Sequence, residues 1–514
     1  MNGAELLIQT LLANGVDLVV GNPGTSEMQF VSALDAVPRM RAVLALFEGV
    51  VTGAADGYGR MADRPAATLL HLGPGLGNGW ANLHNARRAR SPIVNVVGDH
   101  ATFHRKYDAP LNSDFEPMAQ AVSGWMRSCE SVERVSRDTA EAVAAASGTP
   151  AQTATLVLPA DVAWSEAQGE PVISRPAEAR RVSQPQIDGI AKLLKSGEPA
   201  ALLLSGRALR DPGLRLISRI AKRTGARVYC ETFPARLERG AGRPSFERLP
   251  YFGDMVLDTL AGLKHLVLVG ARAPVAFFAF PGKSSNLVPE GCDVHALTSE
   301  ADDTLLALAQ LAEAVGADKD PDLQAANVPA APTGGAIEPS TLAAAVAATL
   351  PENAIIIDEA NTTGYVVPFM TAGCGPHDWM CLTGGSIGMG LPAATGAALA
   401  CPERRTLVLE GDGSAMYTIQ ALWTQAREQL NVTNVILANR SYAILNIEMM
   451  RMGLGQAGPV AKQMLDIDSP TLDFVAMGRS LGVPSCRVTT ADELAKELAK
   501  SFATPGPALI EAVF

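Results

Sequence analysis

Val408-Leu409-Glu410-Gly411-Asp412-Gly413-Ser414 closes an apolar run that begins at Arg405, and Ile436-Leu437-Ala438-Asn439-Arg440-Ser441 repeats the arrangement further along the chain. A short apolar run that stops on glycine reads as a buried strand entering a tight turn, and residues 416–430 have helical spacing. A strand, a glycine turn and a helix start together make an anion site. Glycine lets backbone N–H groups approach phosphate oxygens, and a carboxylate beside them can hold a divalent cation that neutralises the phosphates. Asn439 follows Asp412 by 27 residues, after a second apolar strand. Its amide oxygen is placed to be a second ligand of a small hard cation, and the Ser441 carbonyl a third. Gly-Asp-Gly-Ser alone is also the sequence of an ordinary tight turn. The asparagine at the end of a neighbouring strand is what separates the two readings.

Composition bounds the rest. A chain of 514 residues predicts three or four domains. With 47% apolar and 18% charged residues it reads as a folded protein, and a net charge of −11 argues against a nucleic-acid partner. No apolar run approaches the roughly 20 residues of a membrane span, and Met1-Asn2-Gly3-Ala4-Glu5 lacks a basic leader, so no membrane is expected and the expected compartment is cytoplasmic. The seven cysteines form no C-x-x-C pair, which predicts buried thiols rather than a disulfide frame or a zinc site.

Taken in order, the chain alternates strand and helix patterns, the mark of parallel, doubly wound sheets with functional loops at the carboxyl ends of the strands. Residues 1–165 form a first unit. Its apolar strand at 44–48 ends on Glu48, a helix follows through Gly49, Gly53, Ala54, Ala55 and Gly57, and a glycine loop spans 73–79 after the strand that carries His71. A Pro-containing linker at 166–185 precedes a second Rossmann-like unit, 186–325, whose strand turns Ser205-Gly206-Arg207 and Gly270-Ala271-Arg272 lack a G-x-G-x-x-G. A second linker at 327–335 leads into a third unit, 338–514. The predicted fold is therefore α/β with three doubly wound parallel-sheet domains.

Gly-Asp-Gly followed at this distance by Asn resembles the signature of thiamine diphosphate (ThDP) enzymes, and a second run supports the likeness. Glu48 is followed, after six residues, by Ala55-Asp56-Gly57-Tyr58-Gly59-Arg60, which resembles the segment after the activating glutamate in the decarboxylase and acetolactate synthase branch. The resemblance covers almost the whole chain and implies a pyrimidine-binding domain, a central domain and a diphosphate-binding domain. It implies ThDP and Mg²⁺ as cofactors, with the metal held by Asp412, Asn439 and Ser441. Asn361, Thr362, Gly385, Ser386, Ile387, Gly411, Gly413, Ser414 and Tyr442 would join Asp412 and Asn439 around the cofactor, Ile387 as the apolar wedge that bends it. Glu48 would exchange a proton with the aminopyrimidine, a task that burial of a carboxyl favours by raising its pKa. The family's active sites lie between subunits, which implies a homodimer or homotetramer. FAD is not expected.

Within the branch, Asn22-Pro23-Gly24-Thr25-Ser26-Glu27 resembles a turn of benzoylformate decarboxylase, with Thr25 at its substrate-facing serine, and His71, 23 residues after Glu48, falls on a catalytic histidine. An imidazole there can relay protons near neutral pH. Two departures stand out. Ala279, in Ala273-Pro274-Val275-Ala276-Phe277-Phe278-Ala279-Phe280, occupies the place of a second histidine, and Val122-Ser123-Gly124-Trp125 lacks the lysine of acetolactate synthases. Without the second acid, the acyl carbanion left after decarboxylation of a 2-oxo acid is expected to add to a second carbonyl, as in acetolactate synthase. Protonation to an aldehyde, as in benzoylformate decarboxylase, is the alternative. A flavin-dependent oxidase and a non-catalytic ThDP-binding paralogue stay open as readings of another class. Residues 277–280 and 442–456 are the expected substrate determinants.

Overall fold

Successive apolar residues along each strand point to opposite sides and give every sheet of this protein two greasy faces, and those faces decide how the chain is layered. The computed structural model describes residues 1–514. Its first sheet runs, in spatial order, Arg41–Leu44, Leu18–Gly21, Ala66–His71, Ile93–Asp99, Thr153–Pro159 and Trp125–Ser128, with every neighbouring pair parallel. Leu18, Val20, Leu70 and Val97 enter one core, while Val19, Leu69, Val94 and Val96 enter another on the opposite face. Period-two burial on both sides is what a parallel sheet covered by helices requires.

The C-terminal sheet repeats the scheme in the order Ser485–Val488, Ala508–Val513, Val432–Ala438, Thr406–Gly411, Ile355–Glu359 and His377–Cys381. Its faces are shared with the rest of the chain. Ile355, Ile357, Val408 and Ile436 pack into the core that also holds Val50, Ala54 and Leu76 of the first unit. Ile356, Leu407, Leu409 and Val435 pack into the core that holds Ile187, Leu202 and Leu214 of the middle unit. The middle sheet is Glu247–Arg248, Arg227–Cys230, Ala200–Leu204, His265–Val269 and Asp293–Thr298, all parallel. From the same middle stretch, Leu237–Arg239 crosses over and pairs antiparallel with His377–Cys381. Three residues are too few to show a period, so this edge strand is invisible in the sequence.

The first and third units are locked by two helices, Glu48–Ala62 and Gly390–Ala400, that touch backbone to backbone. A Cβ on Gly57 would lie 2.0 Å from the Ala393 carbonyl oxygen, and one on Gly396 would lie 1.8 Å from that of Ala54. Asp56 and Arg60, which the sequence groups with the cofactor signature, form a fully buried ion pair at 2.5 Å, and Arg60 also donates to the Cys381 carbonyl at 2.8 Å. Their role is to tie the helix to the third sheet, because buried charges need partners on every side.

Three local expectations change. The strand before Glu48 ends at Leu44, and Glu48 is the first residue of its helix rather than the last of a strand. Residues 73–79 are not a loop but the opening turns of the helix Leu72–Ala89. Tertiary packing overrides the poor helix propensity of glycine there, since Cβ atoms on Gly73 and Gly79 would collide with Ser113 Oγ and Thr52 Cγ2. The helix expected over 416–430 is two, Asp412–Thr418 and Ala421–Arg427, and Thr418 Oγ1 at the end of the first is held by the Gly388 carbonyl at 2.9 Å.

Candidate active site

At the carboxyl edge of the first sheet, Gly21 aligns with Leu44 and Leu69, and His71 aligns with Gly98. The turns that follow these positions therefore converge. Glu48 is 7% exposed, and its Oε2 accepts a hydrogen bond from Asn78 Nδ2 at 3.0 Å. His71 sits beside it: a point one bond from the Gly75 Cα lies 3.3 Å from Glu48 Oε1 and 3.4 Å from His71 Cβ. The two expected catalytic side chains thus border one narrow gap over Gly75, which a side chain at that position would crowd. Thr25 is exposed on the same rim and Glu27, two residues on, is buried.

Glu27 is the residue that reading the sequence missed. Its Oε2 lies 2.8 Å from His71 Nδ1 and accepts the Gly24 N–H at 2.7 Å, while its Oε1 is buried without a partner. Burial raises its carboxyl above the ordinary range, against the lowering influence of His71. With Nδ1 engaged by Glu27, the nitrogen left to His71 for outside chemistry is Nε2. The geometry is built tightly: a Cβ on Gly24 would fall 2.3 Å from the His71 ring, and one on Gly98 would fall 1.8 Å from Glu27 Oε1. Leu72, next in the chain, has φ +52. A branched side chain in that region costs on the order of 1 kcal/mol or more, and such strain concentrates where a neighbouring side chain must be aimed.

The other expected cluster lies at the carboxyl edge of the third sheet. Gly411 pairs with Leu437, which sets Asp412 against residues 438–440. Asp412 Oδ1 accepts the Gly413 N–H at 2.9 Å and Oδ2 the Arg440 N–H at 2.5 Å; Asn439 Oδ1 accepts the Ser441 N–H at 3.0 Å. Asp412 is 4% exposed, and burial raises its carboxyl. A buried carboxylate, an amide oxygen and a backbone carbonyl form an all-oxygen donor set, the kind a small hard dication takes. Tyr442 packs against Gly413, where a Cβ would come 2.4 Å from its ring. Ser414 is buried, and Asn361 and Thr362 stand in the turn after the strand Ile355–Glu359.

Between the two clusters runs the segment 383–390. Gly385 has φ +75 and Gly388 φ +92, so both need glycine, and Ile387 packs partly on the core shared by the first and third units. The segment is held from below and from the side. Glu359 accepts N–H groups from Gly388, at 2.6 Å, and from Gly390. Asn85 Nδ2 donates to the Ser386 carbonyl at 2.8 Å, Asn85 Oδ1 accepts the Ser386 N–H at 3.2 Å, and Asn82 Nδ2 donates to the Gly388 carbonyl at 3.3 Å. Polar side chains on the buried face of the helix Leu72–Ala89 were the available sign. Glu410 lies buried alongside Glu359 on the paired strand. Burial raises both carboxyls, Glu359 to about 7 and Glu410 well above its usual range.

The substrate determinants expected at 277–280 and 442–456 do meet. Phe277, Phe278 and Phe280 line a cavity of about 270 Å³ together with Tyr251, Glu448 and Arg451, the last two from the helix Ala443–Arg451. A second cavity of about 160 Å³ shares Tyr251 and Phe277 and reaches Thr383 at the start of the central segment. Ala279 is exposed on this loop, with no imidazole in its place. In the loop after Ile93–Asp99, Arg105 is paired with Asp99 at 2.5 Å, and the His100 and His104 rings stack obliquely, 5.3 Å between centroids.

Comparison with known proteins matches this layout. The N-terminal TPP binding domain of thiamine pyrophosphate enzymes matches residues 1–121, and the C-terminal TPP binding domain matches residues 361–512. A Mycobacterium tuberculosis (strain ATCC 25618 / H37Rv) protein with the provisional name acetolactate synthase large subunit IlvX is 56% identical over 514 residues, 100% of this chain and 99% of that protein. Benzoylformate decarboxylase of Pseudomonas aeruginosa is 29% identical over 530 residues, 98% of this chain and 97% of its own. The solved Rhodococcus jostii RHA1 thiamine diphosphate-dependent 4-hydroxybenzoylformate decarboxylase superposes with a TM-score of 0.87 at 26% identity, over 100% of this chain and 99% of that one. No helix is long and apolar enough to cross a membrane.

Proposed function

The chain belongs to the thiamine diphosphate-dependent enzymes of the acetolactate synthase and benzoylformate decarboxylase family, and from that premise we propose that it is a Mg²⁺-dependent carboligase acting on a 2-oxo acid. The observation that carries this reading is the asymmetry of proton donors. His71 stands at the chemical end, while the middle unit lines the cavity with Phe277, Phe278 and Phe280 and its loop carries Ala279 rather than an imidazole, so that unit brings no second histidine to quench the acyl unit quickly. A cavity of about 270 Å³ also has room for a second carbonyl compound.

Bound ThDP supplies a nucleophilic carbon and an electron sink for cleavage of the bond to the carboxylate. The residues present fit that group. Asp412, Asn439 and the Ser441 carbonyl would hold Mg²⁺ at the diphosphate, with the 411–414 turn, Asn361 and Thr362 around it and Tyr442 packed against Gly413. Gly385, Ser386 and Ile387 would receive the rings on a segment that Glu359 and Asn85 hold in shape. Glu48 would move a proton at its carboxyl, with Asn78 fixing Oε2 and leaving Oε1 to take part. His71 Nε2 accepts or returns a proton at the reacting oxygen, and Glu27 stabilises the ring when it is charged. Thr25 would orient the substrate from the rim. Residues 1–165, 186–325 and 338–514 serve as pyrimidine-binding, central and diphosphate-binding domains.

Two copies complete the site. Leu46 beside Glu48, Tyr365 and Phe369 after the 361–364 turn, and Met416 and Tyr417 after Ser414 are all large, apolar and exposed. A set of this kind around both halves of one site is surface that a second copy of this chain would cover. The minimum functional unit is thus a homodimer, with a homotetramer as its doubled form, and the catalysis takes place in the cytoplasm.

The test is a panel of pyruvate, benzoylformate, branched-chain and dicarboxylic 2-oxo acids with CO₂ and acyloin both measured. Acyloin in proportion to CO₂ is expected. CO₂ with aldehyde alone would replace the carboligase reading by a benzoylformate decarboxylase-like one, and no CO₂ with any acid would sink both.

A further inference from the structure

We propose that Glu198, His265, Asp293 and His295 form a transition-metal site, of Zn²⁺ type, on the middle sheet, independent of the ThDP chemistry. His265 and Asp293 open adjacent parallel strands and are paired in register, and His295 lies two residues further along, so all three project from the same face. Their ligand atoms lie within 4.8 Å of one another. Glu198 stands just before the next strand inward, Ala200–Leu204, whose first residue pairs with His265.

Protons decide what the cluster is for. Glu198 Oε2 is 3.0 Å from His265 Nε2, and a carboxylate can only accept, so the hydrogen of that contact sits on Nε2 and His265 presents the Nδ1 lone pair. His295 Nε2 lies 3.2 Å from that nitrogen. The contact needs one proton between the two nitrogens, or one cation in its place. With Zn–N bonds of about 2.0–2.1 Å, two imidazole nitrogens in a tetrahedral shell stand about 3.3 Å apart. The rings are therefore already at ligand spacing. Asp293, exposed and free to rotate, closes a third position, and a fourth is open to water. A carboxylate holding the far nitrogen of a ligating histidine is the usual outer support of such sites, and Glu198 provides it. Two imidazoles and a carboxylate favour Zn²⁺, Ni²⁺ or Cu²⁺ over Mg²⁺ or Ca²⁺.

Position gives the consequence. Asp293–Thr298 is an edge strand of its sheet, and the site lies at the amino ends of the strands, opposite the turns 205–207 and 270–272. A bound ion pins that edge strand to its neighbour and stabilises the middle unit without entering the reaction.

The experiment uses the holoenzyme with ThDP and excess Mg²⁺, equilibrated with Zn²⁺, desalted and assayed for metal per chain, with Co²⁺ absorption as a second readout on the unmodified protein. One Zn²⁺ per chain, a raised Tm and intense tetrahedral Co²⁺ bands are expected. His265→Gln and His295→Gln should abolish retention, and Glu198→Gln should weaken affinity about 10- to 100-fold, all with unchanged basal turnover. Zn²⁺ that excess Mg²⁺ displaces, retention that survives both histidine substitutions, or only weak octahedral Co²⁺ bands would overturn the proposal.

Discussion

The two ends of the candidate active site are built by different means. Asp412 and Asn439 are held by backbone: Asp412 Oδ1 and the Asn439 amide oxygen accept main-chain N–H groups from their own turns, and Asp412 Oδ2 accepts one from the neighbouring turn, at Arg440. Glu48 and His71 are held by other side chains, Asn78 and Glu27, which arrive from different elements. A backbone cradle follows from strand and turn geometry and repeats wherever the turn repeats. A side-chain scaffold can be changed one residue at a time, and the chemical end is the one whose selectivity has room to drift. The contrast teaches where to look for divergence within the family: around Glu27, His71 and the phenylalanine-lined cavity rather than around the Gly-Asp-Gly-Ser turn.

The comparison breaks if chemistry and anchoring fail together. Glu48→Gln should give the largest effect, a fall in turnover of roughly 10²–10⁴-fold, with ThDP affinity by calorimetry nearly unchanged. Unchanged turnover in that variant would refute the assignment of Glu48. Asp412→Asn should do the reverse, weakening Mg²⁺-dependent cofactor binding about 10- to 100-fold, the worth of one charged contact, while saturating Mg²⁺ and ThDP recover much of kcat.

A matched pair of small changes sharpens it further. Gly24 has φ −114, so alanine meets no backbone strain there, but its Cβ would drive into the His71 ring. Gly24→Ala should therefore lower kcat about 10- to 100-fold by displacing the imidazole. Gly413→Ala pushes on Tyr442 in the same way, yet at the anchoring end. It should raise the ThDP concentration needed for half activity several-fold, roughly 1 kcal/mol, and leave saturated kcat close to the parent value. Equal kcat losses in the two would erase the distinction.

The smallest expected effect concerns the acid pair beneath the central segment. Glu359 and Glu410 have raised pKa values, so the native state keeps protons that the unfolded chain releases above its ordinary carboxyl range. Because the native state binds more protons there, stability falls as pH rises toward and through about 7 for Glu359. Glu410→Gln mimics the protonated acid. Its Tm should match the parent near pH 5 and exceed it increasingly toward about pH 8; a constant difference across that range would show that the pair holds no shared proton.

Much was legible from the residues alone. Continuous apolar runs alternating with helices indicated parallel sheets buried on both faces, since a pleated strand sends successive side chains to opposite sides. Gly411, Asp412, Gly413 and Asn439 were legible because their job is done within one turn and its neighbouring strand, and short-range geometry is written in short-range sequence. The tertiary structure alone decided the rest. It turned residues 73–79 into a helix, because the absence of a side chain at Gly73, Gly75 and Gly79 matters only once Ser113, Glu48, His71 and Thr52 are packed beside them. It paired Glu27 with His71 across 44 residues and Asn85 with Ser386 across 301. Hydrogen bonds and close approaches depend on distance in space, and a sequence records only distance along the chain.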